Sequence, residues 1–324
     1  LKVLVTGGAG YIGSHFVKLL LEKGYQPIIL DNLSRGHKEA IPNNVHFEDI
    51  DLLDAGSLSY FIQTQIPSAV VHFAAFAYVG ESVEHPERYY QNNVVGSFNL
   101  IKLCAENGVK NFVFSSTCSI YGNPAKIPIS EDQPSLPINP YANTKLMIET
   151  LLKDFEVSSG LKSISLRYFN AAGADPSGLI GESHNPEPHL IPIVLETAQS
   201  KRKKVFVNGN DYSTSDGTCI RDYIHVNDLA DAHLKSLEYL INGGKSNVIN
   251  LGTGKGNSVL EIIEKAKAIT KKEILFEVVS RRAGDPAVLV ADNKKAKDLL
   301  GWSPKYSIEE IIETAWKWHS NPKY

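Results

Sequence analysis

Short apolar runs rich in β-branched residues recur through the first half of the chain: Val3–Val5, Pro27–Leu30, Val45–Phe47, Ala69–Phe73, Phe112–Phe114 and Ser163–Leu166. They are nearly continuous rather than alternating, so each predicts a strand covered on both faces. Between several of them the pattern lengthens to a helical one, as from Ser14 to Lys23, where Gly24 supplies the closing cap. Strands of this kind alternating with helices predict α/β architecture, a doubly wound parallel Rossmann sheet, over residues 1–170.

Beyond about residue 170 the pattern changes. Ala174–Gly178 and Glu182–Pro188 are polar and turn-rich, as expected of a loop that meets a ligand or a second lobe. The spacing Ser258-x-x-Glu261 ahead of Ile262–Ile263, and Ser307-x-x-Glu310 ahead of Ile311–Ile312, predicts two helices opened by capping boxes. A smaller α/β lobe is therefore expected over 171–324. Val248–Gly252 reads as a further strand, which would return part of 222–255 to the large sheet. The chain shows no repeat and no low-complexity linker.

Composition narrows the class. Of 324 residues, 43% are hydrophobic and 21% charged, ordinary for a globular enzyme. The 33 basic and 36 acidic residues leave a net charge of −3, and no basic stretch is long enough to suggest a nucleic-acid surface. The densest basic run, Lys201–Lys204, reads as a solvated loop or helix end. Cys104, Cys118 and Cys219 fit no Cys-x-x-Cys spacing, so free thiols, a reducing compartment and no bound metal are expected. Ala69–Val79 is too short to span a bilayer and contains His72, and the first residues enter a strand pattern rather than a signal-peptide one. A cytoplasmic protein without membrane contact is the expectation.

Candidate chemistry starts at Thr6-Gly7-Gly8-Ala9-Gly10-Tyr11-Ile12-Gly13, which follows a strand and opens a helix. Bare backbone at a helix N-terminus is what a dinucleotide diphosphate requires. Gly7, Gly10 and Gly13 use the wider Gly-x-x-Gly-x-x-Gly spacing. Asp31-Asn32 ends the second strand; a carboxylate there accepts from both ribose hydroxyls and repels a 2′-phosphate, favouring NAD over NADP. Arg35 nearby reads as solvated. Asp49-Ile50 follows the third strand, placed either to meet the adenine or simply to turn the chain.

Tyr141 and Lys145 stand four apart, on one face of a helix. A phenol titrates near ~10, so acting as a base at neutrality takes a shift of roughly three units, about 4 kcal/mol. A fixed ammonium and a nicotinamide cation supply that sign of charge. Thr117, at the end of the run Phe114–Thr117, is placed either to bond a substrate hydroxyl beside the phenol or to cap the following turn.

Together with His72-Phe73-Ala74-Ala75, these motifs resemble the extended short-chain dehydrogenase/reductase family. Val79–Ser82, Tyr89–Asn93, Leu166–Asn170, Asp216–His225 and Arg281–Asp285 are similar to the UDP-galactose 4-epimerases within it, and the resemblance runs from residue 1 to about 305. It implies tightly held NAD, Tyr141 as the base on the sugar 4-hydroxyl, Lys145 on the nicotinamide ribose, and Thr117 where the family has Ser or Thr. It places Tyr11, Ile12, Phe73, Ala74, Ala75, Asn92, Ser115 and Tyr168 around the cofactor. Asn170, His189, Leu190, Arg221, Arg282, Asp285 and Leu289 fall around a UDP-sugar, with a homodimer as the usual assembly. Where some relatives carry Lys, Asn, an aromatic and Tyr, this chain has Ala77, His189, Asn208 and Leu289; the last implies a roomier sugar pocket. The alternatives are a UDP-N-acetylglucosamine or UDP-xylose/arabinose 4-epimerase, the latter sharing Thr117-Cys118 and Pro137–Pro140. A nucleotide-sugar dehydratase or decarboxylase is disfavoured because Cys118-Ser119-Ile120 supplies no acid where a dehydratase has Thr-Asp-Glu. A non-catalytic NAD-binding regulator is disfavoured by the intact Thr117, Tyr141 and Lys145.

Overall fold

The computed structural model describes residues 1–282 and 285–324; Ala283 and Gly284, within the Arg281–Asp285 segment, lie outside the described residues. The first half of the chain runs β1 (Lys2–Thr6), α1 (Tyr11–Glu22), β2 (Gln26–Leu30), β3 (His46–Glu48), α2 (Ala55–Gln65), β4 (Ala69–His72), α3 (Val79–Glu84) and α4 (Pro86–Tyr89). It continues through α5 (Gly96–Glu106), β5 (Asn111–Ser115), α6 (Pro140–Ser159) and β6 (Lys162–Tyr168). The expected strands are all present, most reaching a residue or two further than their apolar runs. Then follow β7 (Asn170–Ala172), α7 (Leu190–Ala198), β8 (Val205–Asn208), β9 (Ile220–Arg221), β10 (Tyr223–His225), α8 (Val226–Ile241), β11 (Asn247–Leu251) and β12 (Asn257–Ser258). The chain closes with α9 (Val259–Thr270), β13 (Phe276–Val279), β14 (Val288–Leu289), α10 (Lys294–Leu300) and α11 (Ile308–Ser320).

Seven parallel strands form the large sheet in the order β11-β6-β5-β4-β1-β2-β3. The order reverses between β1 and β4, where a doubly wound sheet opens a ligand crevice at its carboxyl edge. Period-two geometry divides each apolar strand between two cores. Val3 and Val5 pack with Phe16 and Val17 of α1 and with Leu229 and Leu237 of α8. Leu4 faces the other way, onto Leu58 and Ile62 of α2, Leu100 and Ile101 of α5, and Ile148 and Leu152 of α6. β11 pairs with β6, so the strand expected at Val248–Gly252 does return to the large sheet. Ala296, Leu300 and Trp302 also pack into the first of these cores, and the Trp302 indole donates to the Asp228 carbonyl at 3.0 Å.

A third core holds α7, α9 and α11 together through Ile191, Val194, Leu195, Ile262, Ile263, Ile311 and Ile312. Both capping boxes form, with Ser258 and Ser307 accepting from the amides of Glu261 and Glu310. Lys201–Lys203 is an exposed turn beyond α7, and the three cysteines are buried and unpaired. Among the described residues no helix is long and apolar enough to cross a membrane.

His72 closes β4 in the middle of the sheet, its Nδ1 2.6 Å from the Thr6 hydroxyl and its Nε2 2.8 Å from that of Ser97. Burial, with the charge of Lys145 adding to it, lowers its pKa to about 3. The folded value lies below the unfolded one, so the stability that neutral His72 confers is present above about 6.5 and is lost as pH falls. His72→Gln is expected to lose about 2–3 kcal/mol less stability than the parent between about pH 6.5 and 4.5, read from urea midpoints. Parallel curves would show that His72 does not carry this acid sensitivity.

Candidate active site

The glycine turn is shaped by contacts that exclude side chains. Gly7 has φ +72° and a Cβ there would lie 2.6 Å from the Ala74 nitrogen; one on Gly13 would lie 2.1 Å from the Gly7 oxygen. Phe73 and Ala74 both donate to the Thr6 carbonyl, which brings the ends of β1 and β4 together. Gly10 precedes α1 with no side chain capping it, so the backbone N–H groups of the first turn, Tyr11 and Ile12 among them, are available to an anion. Tyr11 donates its phenol proton to the Gly173 carbonyl at 2.6 Å, tying this turn to the smaller lobe.

Asp31 accepts from the amides of Ala9 at 3.0 Å and Leu33 at 2.9 Å, and each oxygen retains a further lone pair for a ribose hydroxyl. Burial pushes its carboxyl up; the backbone bonds oppose this, and Asp49 nearby adds to it. Asn32 donates to Asp51, Asp49 is exposed beyond β3, and Ile50 packs under the sheet. Arg35 is not simply solvated. It forks onto Glu81 at 2.8 and 2.9 Å and lies over the Tyr78 ring, which commits its guanidinium away from a 2′-phosphate. The cradle, the carboxylate and the committed Arg35 fit NAD.

Tyr141 and Lys145 sit in the first two turns of α6, started by Pro140 and by Asn139, whose side chain accepts from the Ala142 amide at 2.9 Å. They are only 8% and 2% exposed. The Lys145 ammonium donates to the Ser115 carbonyl at 2.8 Å and lies 5.9 Å from the Tyr141 ring centroid. Burial lowers it to about 7, against the opposing charge of Glu149. Burial drives the Tyr141 phenol far above its ordinary value, while a hydrogen bond with Thr117 acts the other way. The pocket therefore opposes ionisation of the phenol until positive charge is fixed beside it.

Thr117 caps the turn 118–121 by accepting from the Ser119 amide at 3.1 Å, and its hydroxyl stands near enough to the Tyr141 phenol to favour the ionised form. Ser115 and Tyr168 share a hydrogen bond between their hydroxyls, and burial pushes Tyr168 up to about 12. Asn92 is half-buried and donates to Asn93.

On the facing side, Asn170 starts β7 and its amide donates to the Asp222 carbonyl at 3.0 Å. Arg221 donates to the carbonyls of Ile220 and Pro286, both at 2.9 Å, with the Asp285 carboxylate 3.8 Å away. Leu289 lies opposite Arg221 in the β9–β14 pair and packs against a buried group that includes Cys118 and Phe169, beside the Thr117 strand end. The Arg282 side chain is exposed, whereas Arg281 bonds Asp211 at 2.6 Å and covers Tyr212. Leu190 begins α7 and packs into the smaller core. His189 precedes it, with its imidazole turned to Glu182 and Glu187. Burial would lower His189 and neighbouring His184, but these two carboxylates carry them to about 10 and about 9.

A doubly wound sheet with a glycine cradle and a buried Tyr-x-x-x-Lys pair at its carboxyl edge defines an extended short-chain dehydrogenase/reductase. Residues 4–315 match the family model described as GDP-mannose 4,6 dehydratase. The UDP-glucose 4-epimerase of Halalkalibacterium halodurans is 52% identical over 320 residues, 98% of this chain and 96% of that protein. The crystal structure of UDP-glucose 4-epimerase from Brucella ovis in complex with NAD superposes with a TM-score of 0.95, at 47% identity over 97% of each chain. The UDP-Glc/GlcNAc 4-epimerase from Campylobacter jejuni gives 0.87, at 43% identity over 98% of this chain and 99% of that one. The chain belongs to this dehydratase-type family, and within it to the group of the UDP-glucose 4-epimerases.

Three supporting residues escaped the sequence reading. Asn93 holds the loop after β4: it accepts from the Phe76 amide at 2.8 Å and donates to the Phe76 carbonyl and the Thr144 hydroxyl. Asp222 gathers the amides of Thr253, Gly254 and Ala291 beneath Arg221. Glu149, one turn beyond Lys145, is buried with Arg167 of β6 at 2.6 and 2.9 Å and accepts from Ser116 at 2.6 Å. A helical i+4 step and an Arg inside an apolar strand were the available signals. Glu149→Gln leaves the Arg167 charge buried without its counter-ion and should destabilise the protein by about 3–5 kcal/mol in urea unfolding. A loss below about 1 kcal/mol would mean that water or another group screens Arg167.

Proposed function

We propose that the chain interconverts UDP-glucose and UDP-galactose by NAD-dependent epimerisation at C4, through a transient 4-keto sugar. The observation that carries this is the Thr117–Tyr141–Lys145 set, buried at the carboxyl edge of the sheet and next to a cradle only glycines can form. In this reading residues 1–170, with the segment that returns within 222–255, hold NAD, and 171–324 hold the UDP-sugar. Gly7–Gly13 receive the diphosphate of the cofactor, Asp31 its ribose, and Lys145 and Tyr168 the nicotinamide side. When bound, NAD accepts the C4 hydride and later returns it.

Tyr141 takes the proton of the 4-hydroxyl as C4 is oxidised, and gives it back when the 4-keto carbon is reduced on its other face. Lys145, fixed by the Ser115 carbonyl, holds the positive charge that makes the phenolate accessible. Thr117 orients the same hydroxyl. Asn170, Arg221, Arg282 and Asp285 grip UDP while the keto sugar turns, the guanidinium forks suiting phosphate oxygens. Elimination of water is disfavoured because Cys118-Ser119-Ile120, next after Thr117, supplies no carboxylate to act as acid or base there.

The protein should purify with NAD and convert UDP-glucose without added cofactor. Tyr141→Phe should keep fold and NAD yet lose about 10²–10⁴-fold in kcat. Activity within a few-fold of the parent would falsify the role of Tyr141, and bound NADP alone would sink the NAD reading.

Leu289 sets the second expectation. Leu is smaller than Tyr, which leaves space beside the sugar for a 2-acetamido group. The parent should therefore also turn over UDP-N-acetylglucosamine, and Leu289→Tyr should lower kcat/KM for that substrate by about tenfold or more while sparing UDP-glucose. Equal losses on both sugars, or a parent inactive on the acetylated one, would show that Leu289 only packs.

A further inference from the structure

The loop between β7 and α7 carries Glu182-x-His184-x-x-Glu187-x-His189, two Glu-x-His steps that fold back on one another. One ligand atom from each of the four side chains meets the others within 4.8 Å. We infer that this constellation is a structural site for a tetrahedral divalent transition-metal ion, zinc foremost, bound by two imidazole Nδ1 atoms and two carboxylate oxygens.

Two buried carboxylates demand compensation, since Glu182 and Glu187 are only 3% and 8% exposed. Either two protons on the imidazoles or one dication with neutral imidazoles balances their charge. Two observations favour the dication. His189 Nδ1 lies 2.7 Å from Glu182 and 3.0 Å from Glu187, and His184 Nδ1 lies 3.2 and 3.4 Å from the same carboxylates. Zinc–ligand bonds of about 2.0–2.1 Å in a tetrahedron put neighbouring donor atoms about 3.3 Å apart, so the set needs little movement to close on an ion. Further, His184 Nδ1 is buried without any hydrogen-bond partner despite the nearby carboxylates, so it is aimed among them rather than along an N–H···O line.

The backbone around these residues is already fixed. The Trp318 indole donates to the Glu182 carbonyl at 2.8 Å, and His37 Nε2 lies 3.0 Å from the Ser183 carbonyl. Tyr11 and Tyr78 stand edge-on to the His184 ring at 6.3 and 5.7 Å. Four protein donors would fill the shell, so the ion is structural rather than catalytic, and it would rivet the loop against Tyr11 of the cofactor turn. The half-exposed His189 provides the way in.

The test uses the full-length protein stripped with EDTA and titrated with Zn²⁺ in a calorimeter, and with Co²⁺ by visible absorption. One Zn²⁺ per chain is expected, with the intense visible bands of tetrahedral Co²⁺ and displacement of Co²⁺ by Zn²⁺. Glu187→Gln and His184→Gln should each weaken Zn²⁺ binding by about tenfold or more, whereas His85→Gln, on an exposed His–Glu pair, should not. Absence of binding at about 100 μM Zn²⁺, weak multi-site binding unaffected by either variant, or the pale spectrum of octahedral Co²⁺ would each overturn the proposal. The titration of the parent stands by itself if a variant fails to fold.

Discussion

Keeping a charge at Lys145 where water does not reach it is the constraint around which this molecule is arranged. A lysine ammonium has three donors, and here the Ser115 carbonyl at the end of β5 takes one. Burial alone would strip its proton, and the carboxylate of Glu149, one helical turn along, works against that loss. Glu149 in turn is held in the interior by its ion pair with Arg167 and the hydrogen bond from Ser116. The chain of opposed charges thus runs from the pocket through α6 into β6, and it links the phenol's chemistry to sheet packing.

Much of this was legible in the residues. Short, nearly continuous apolar runs bounded by turns and alternating with helical stretches read as parallel strands, so β1 to β6 and β11 were readable, as were the capping-box helices. The very short pairs β7–β10 and β12–β9–β14 were not. Two or three residues carry no period, and their pairing is set by Asp222, which collects amides from segments about 30 and 69 positions away. Glu149–Arg167 was hidden for a related reason: each residue is ordinary in its own helix or strand, and only the packing of α6 on β6 joins them.

The loop 173–189 was expected from its polar, turn-rich composition, but composition gave no hint of what organises it. Its order comes from distant partners: Tyr11 on Gly173, Trp318 on Glu182, His37 on Ser183. Two of the three belong to the dinucleotide fold and one to the last helix. A segment without secondary structure thereby becomes the mortar between the lobes.

The path of the chain has a mechanical consequence. After β6 it leaves the large sheet, returns with α8 and β11, leaves again with α9, comes back to place α10 and Trp302, and ends outside in α11. Several covalent strands therefore cross the cleft where a hinged enzyme has one or two. Such a frame resists opening and shutting like a jaw, and the room a bound sugar needs in order to turn over has to be built in permanently.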